Sequence, residues 1–262
     1  MGNFNIDSDS PKKQNKLIQE IVIFSDYLVN QFGSIGEHNF NITISNDSNK
    51  FPKNFPSWAT GIALNNSVFI DNKKINNDIH LLKVVRHEIC HLYQNKIKNS
   101  YSFPGWFKEG MAMATAKEFS IDSRYLVSRA LWMNCLLDLN DLDHFSTLNE
   151  TKINLAYEQS LIAYEKIIKL FNKASIKTIF FKMNHSNLTF ENAFLEVLNI
   201  SINDFQNQYN SELNKFWAVI FNKSNFWFFI ATIILFIIFI TVRLRNKKII
   251  KRWEIEELNE LE

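Results

Sequence analysis

Apolar residues recur at helical spacing from Gln14 to Phe32, with Leu17, Ile21, Phe24 and Leu28 on one face, and the run stops at Gly33. An amphipathic helix is predicted there. The stretch NITIS at 41–45 alternates instead and is β-branched, as a strand does, and TGIALNNSVFID at 60–71 splits into two short strands around Asn65-Asn66. Helical periodicity returns from Asn77 to about Lys98. Pro104 in FPGW then opens a further helix, WFKEGMAMATAKEF, rich in strong helix formers. All four prolines and all six glycines stand at or before Gly110. Without these punctuating residues the later part of the chain is predicted to be mainly helical, with turns around Asn140, Asn172 and Asn203.

The pattern changes once more near Asn225. Residues 226–242, FWFFIATIILFIIFITV, carry no charge and only Thr232 and Thr241 as polar groups, and have no polar face that a soluble core helix would keep. At 1.5 Å per residue they span about 26 Å, enough for the lower end of what crosses a bilayer, with Phe216, Trp217 and Trp227 suited to the interface. Arg243, Arg245, Lys247, Lys248, Lys251 and Arg252 follow at once, against only Lys215 and Lys223 just before. The positive-inside rule therefore places the C-terminus in the cytoplasm and residues 1–225 outside. Export of such a domain needs a leader, and MGNFNIDSDSPKK has no apolar core, so a signal segment upstream of Met1 is expected. Met1-Gly2 does not signal myristoylation, because Ile6 stands where Ser or Thr is required.

Composition adds little beyond exclusions. With 46% apolar and 21% charged residues the chain is an ordinary globular one, and a formal charge of +2, from 29 basic and 27 acidic residues interleaved, gives no nucleic-acid footprint. Two cysteines, Cys90 and Cys135, make neither a disulfide scaffold nor a cysteine-rich metal site. Cys90 is expected to be a buried helix thiol.

The chemistry gathers in VVRHEICHLY, residues 84–93. His87 and His91 lie an i, i+4 step apart, about 40° in azimuth and roughly 6 Å in rise, so both rings reach one atom from a single helix face. A catalytic zinc needs three protein ligands and one open position. No histidine follows six residues after His91, where Ile97 stands, which excludes the metzincin pattern. Eighteen residues after His91 comes Glu109, on the next predicted helix, with Gly110 beside it to permit close helix approach. His80 is about 10 Å along the axis from His87, too far to share the metal, and His38 and His185 are placed in polar loops.

HEICH followed by PGWFKEGMA resembles the gluzincin zinc metallopeptidases, in particular the peptidase MA-like domains, whose HExxH is followed some twenty residues later by a P-x-W-x-x-E-G-x-A block. Here that block is Pro104, Trp106, Glu109, Gly110 and Ala112. The resemblance extends from FNIDSD near the N-terminus to about residue 215, with the two blocks specific and the flanks weak. It implies an α+β, zincin-like domain: a small N-terminal mixed sheet, an active-site helix and a helical C-terminal half, followed here by one transmembrane helix. The implied site has His87, His91 and Glu109 as ligands to one Zn²⁺, Glu88 as general base, and Tyr157 as oxyanion donor with His144 behind it. A peptide or protein substrate is expected, with the strand around Thr60–Leu64 receiving it as an added strand. One position departs from the family: Met113 stands where a carboxylate is often found, four residues after the ligand glutamate, which puts a supporting hydrogen bond at the metal site in question.

The chain thus divides into a peptidase domain at 1–215, a juxtamembrane segment at 216–225, a span at 226–242 and a basic, then acidic, tail at 243–262. Two other classes stand against this. One is a zincin-fold module at the cell surface that binds without cutting; the other is an intracellular tail-anchored protein in which HExxH is fortuitous.

Overall fold

The computed structural model describes residues 2–8, 11–118, 121–143, 150–213 and 223–260. The chain forms two compact units, Met1–Leu213 and Asn214–Glu262. The first opens with strand β1 (Gly2–Ser8), helix α1 (Pro11–Phe32) and strand β2 (His38–Ser45). The antiparallel pair β3 (Gly61–Leu64) and β4 (Ser67–Asp71) follows, turning at Asn65, which takes a left-handed φ of 54°. The sheet order is β1-β2-β4-β3, with β1, β2 and β4 parallel and β3 antiparallel on the edge. This is the mixed sheet expected, one strand longer on its N-terminal side than NITIS and the 60–71 pair alone indicate. FNIDS supplies that strand, in register Phe4 to Phe40 and Ile6 to Ile42.

Helix α1 begins at Pro11 rather than Gln14, since a proline with its φ already helical and no N–H to orphan suits a first helical position. Its apolar face buries Ile21, Phe24, Leu28 and Phe32 in one core with Phe40, Ile42, Val68 and Ile70 of the sheet. Helix α2 (Asp78–Gln94) carries the histidines. The Asn77 side chain accepts a hydrogen bond from the His80 N–H and caps its start. Val85, Ile89 and Leu92 are fully buried in that core, which holds the helix rigid beneath the sheet.

Helix α3 (Gly105–Ala116) presents Glu109 and packs on α5 (Glu150–Ser186). A Cβ on Gly110 would stand 2.2 Å from the Ser160 carbonyl oxygen, so any side chain here would force α3 and α5 apart. Trp106 stacks on Phe205 with ring centroids 5.7 Å apart, and Phe107 meets Phe103, Tyr164, Phe180 and Phe190. The Trp and Phe of the FPGWF stretch therefore anchor the helix whose next turn carries Glu109.

The helical half contains α4 (Ile121–Trp132), α5, α6 (Phe190–Leu198) and α7 (Ile202–Glu212). Asn172 breaks α5 with a φ of 63° and accepts at its side chain from the Ser175 N–H, as a turn there requires. Asn140 falls in a short 3₁₀ turn, Leu139–Asp143. The expected turn at Asn203 lies earlier: Asn199 ends α6 in the left-handed region and Ser201 caps α7 through the Asp204 N–H, so Asn203 is already helical. His144 and residues 216–222 of the juxtamembrane segment lie outside the described residues.

The described residues of the second unit form one helix, α8 (Lys223–Glu260), within which Phe228–Lys251 is long and apolar enough to cross a membrane, and none of it is buried. Its two internal hydroxyls are satisfied within the helix, Thr232 donating to the Phe228 carbonyl and Thr241 to that of Ile237. Hydroxyls bonded to their own helix's carbonyls are what a hydrocarbon environment tolerates.

Candidate metal centre

His87, Glu88 and His91 sit in the C-terminal half of α2, and α3 brings Glu109 to them. His87 Nε2 and His91 Nε2 are 3.0 Å apart, and Glu109 Oε2 lies 3.3 Å from the first and 3.4 Å from the second. The three ligand atoms fall within 4.8 Å of one another. Tyr157 lines the same cleft as His87 and Glu88. Every described member of the predicted set is thus brought to one place.

The outer nitrogens show what the inner ones can do. His87 Nδ1 donates to Glu118 Oε1 at 3.1 Å, and His91 Nδ1 donates to Gln94 Oε1 at 2.9 Å. The Gln94 amide is oriented by its own Nε2, which donates to the Lys108 carbonyl at 3.0 Å, so its oxygen faces the imidazole. With both Nδ1 positions holding the proton of a neutral ring, both Nε2 atoms carry lone pairs, and they point at each other and at Glu109 Oε2, a buried oxygen with no hydrogen-bond partner. Three electron-pair donors without a proton between them repel. A divalent cation removes that repulsion, and two imidazoles with one carboxylate suit it chemically.

Without a cation the same conflict is relieved by protons. Burial disfavours the charged imidazole of His87, but Glu118 and Glu109 outweigh it and hold its pKa well above the ordinary 6.5. At His91 burial is likewise overcome, chiefly by Glu109. Burial would raise Glu109, yet His91 and His87 hold its carboxyl far below the usual carboxylate range. Glu88 moves the other way: burial raises its pKa, and the two histidines only partly oppose this. Burial, then Glu109, Glu88 and Glu118, push the Tyr157 phenol up, so it stays a donor.

Glu118 and Gln94 were not legible as site residues. Gln94 is three residues from His91, a helical spacing open to any polar residue. Glu118 depends on a backbone event: Lys117 adopts a left-handed φ of 59° at the end of α3, and the Glu118 N–H turns back to the Met113 carbonyl at 3.0 Å. The chain reversal swings the Glu118 carboxylate to His87, where it provides the bond that Met113 cannot. Gly61 was also missed. A Cβ there would stand 2.9 Å from Glu88 Oε1 and 3.0 Å from Val84 Cγ1, so the main chain of the edge strand lies directly on Glu88.

The other described histidines stay out of the ligand cluster. His80 Nδ1 accepts from the Asn76 N–H at the start of α2. His38 and His185 are in regular structure rather than polar loops: His38 opens β2 and donates to the Ile35 carbonyl, while His185 ends α5, donates to the Phe181 carbonyl and stacks on that ring. Cys90 is fully buried, as predicted, and burial pushes its thiol up to about 12.

A small mixed sheet laid over a helix bearing two histidines, with a carboxylate delivered by the next helix, defines a zincin-like domain. Residues 26–215 match the family model of the Peptidase MA superfamily, and the chain belongs to that superfamily. Comparison with curated proteins and with solved structures yields no match.

Proposed function

We propose that the chain is a membrane-anchored, zinc-dependent peptidase that hydrolyses peptide bonds in a peptide or protein substrate. The observation that carries this is the convergence of His87 Nε2, His91 Nε2 and Glu109 Oε2 while both Nδ1 protons are committed elsewhere. When bound there, a zinc ion supplies Lewis-acid polarisation of a carbonyl and acidification of a water. Glu88 takes the proton from that water and returns it to the leaving amine, a double duty suited to a buried carboxylate with a raised pKa. Tyr157 donates its phenolic hydrogen to the substrate oxygen as charge develops on it. Strand β3 offers the sheet's outer edge to an extended peptide, and the bare Gly61 lets that strand seat directly against Glu88.

Metal analysis of the full-length chain in detergent tests this. It should show about one zinc per chain. The substitution Glu88→Gln should keep the zinc and abolish cleavage of an unfolded protein substrate. A zinc-free chain that survives chelators unchanged, or a Glu88→Gln protein that still cleaves, refutes the assignment. The second reading, a zincin-fold module that binds without cutting, rests on Met113 and on the unidentified oxyanion donor; the hydrogen bond from His87 Nδ1 to Glu118 weighs against the first of these.

We place the peptidase domain at 1–215 outside the cytoplasm, joined through 216–225 to a single span whose apolar core is 226–242, with the tail 243–262 inside. The six basic residues that follow Val242 support this orientation. A reporter fused after Glu262 that is active only outside the cytoplasm overturns it.

A further inference from the structure

The cleft in front of the metal cluster encloses about 510 Å³, and one of its walls is a single face of α2. His80, Lys83, Val84 and His87 stand at i, i+3, i+4 and i+7 on that helix, and all four line the cleft. Lys83 is the one lysine or arginine among the described residues that do so. The neighbouring cations are engaged: Arg86 pairs with Glu20 at 2.9 Å and lies over the Phe24 ring, and Lys74 donates to the carbonyls of Ser57 and Ala59. Lys83 makes no ion pair with any described residue. Of the three carboxylates lining the cleft, Glu118 is held by His87, Glu88 lies against Gly61, and Glu158 does not pair with Lys83. Lys83 is therefore a cation on the cleft with no ion-pair partner among the described residues, and the half-exposed Trp58 adds an apolar surface to the same cleft.

We infer that Lys83 selects substrates carrying a carboxylate within about two residues of the scissile bond; this rests on the peptidase assignment above. The distance follows from geometry. Lys83 is four residues before His87, roughly 6 Å along the helix axis, and an extended peptide advances about 3.4 Å per residue. A carboxylate meeting the ammonium is thus one or two residues from the carbonyl held at the metal centre. The chemistry admits two sources, an Asp or Glu side chain and the terminal carboxylate of a short substrate.

Matched internally quenched peptides separate these. One series carries Glu or Gln at each position flanking the cleaved bond; the other ends in a free acid or an amide two residues beyond it. With the full-length chain in detergent, kcat/KM should favour the acid member of one series by about tenfold. The ratio should fall to about one in Lys83→Met and invert towards Lys-containing peptides in Lys83→Glu. A preference confined to the first series identifies a side chain, and one confined to the second a chain terminus. Cleavage with equal kcat/KM for acid and neutral peptides, or a preference that persists in Lys83→Met, overturns the inference and leaves the peptidase assignment standing. If no peptide is cut, binding to the zinc-loaded chain, read from tryptophan fluorescence, decides. Tighter binding of the acidic peptide that is lost in Lys83→Met upholds this site while the peptidase assignment fails, and equal binding of acidic and neutral peptides overturns it.

Discussion

Replacing Glu118 probes the centre most directly, because this residue touches the metal cluster only through His87. Its Oε1 accepts from His87 Nδ1 at 3.1 Å, with the histidine side chain 12% and the glutamate side chain 24% exposed. Glu118→Gln keeps an acceptor and loses the charge; Glu118→Ala loses both. Partners in this position contribute about 10- to 100-fold in metal affinity, so the amide should weaken zinc binding by about tenfold and the alanine by about a hundredfold, or ~1.4 and ~2.7 kcal/mol. Neither should reach the full penalty of a sealed, unsatisfied donor, since the site is open enough for a water to take the Nδ1–H. The assay is competition for zinc against a chromophoric chelator with the full-length chain in detergent, alongside thermal melts of the metal-free proteins to separate ligand positioning from fold loss. Equal zinc affinity in Glu118→Ala and the unmodified chain, with equal melting temperatures, would refute the claim that Glu118 orients His87.

Other expectations follow from the same geometry. Gly61→Ala introduces a methyl 2.9 Å from Glu88 Oε1, so kcat should drop by about tenfold or more with zinc retained; unchanged kcat would show that the strand yields without cost. In the metal-free chain His87 and His91 titrate above 6.5, so their protonation contributes stability that is fully present below that value and is lost as pH rises through the raised folded pKa. Chelator-treated protein should therefore melt at a lower temperature at alkaline pH than near neutrality. Zinc affinity should run oppositely, weakening as pH falls and protons occupy the ligands; melts and zinc titrations across this range that show no such crossing contradict it. Cys135 is exposed whereas the Cys90 thiol is buried and pushed up to about 12, so iodoacetamide at mildly alkaline pH should alkylate only Cys135 until the protein is denatured, as peptide mass mapping will show.

How much was legible differs from residue to residue. The pair His87 and His91 was readable because helix pitch alone puts i and i+4 on one face, and Glu109 because Trp106 and Gly110 mark a helix that docks closely. The strand pair around Asn65 was readable from alternation and turn chemistry. The turn expected around Asn203 lies a few residues earlier, because asparagines are abundant here and only the backbone distinguishes the left-handed Asn199 from a helical Asn203. His38 and His185 were misplaced for a related reason: polar neighbours suggested loops, while sheet register and a helix C-terminus determine where those residues lie.

By itself the sequence determined what depends on short-range order: the amphipathic helices, the strand alternation, the histidine spacing and an uncharged run too apolar for water. Only the tertiary structure decided which electron pairs converge and what stands behind them. That Glu118 rather than residue 113 meets His87 follows from a left-handed turn at Lys117. That Gly61 lies against Glu88 follows from the seating of an edge strand on α2. Such contacts join residues tens of positions apart through packing of whole elements, and local periodicity carries no record of that distance.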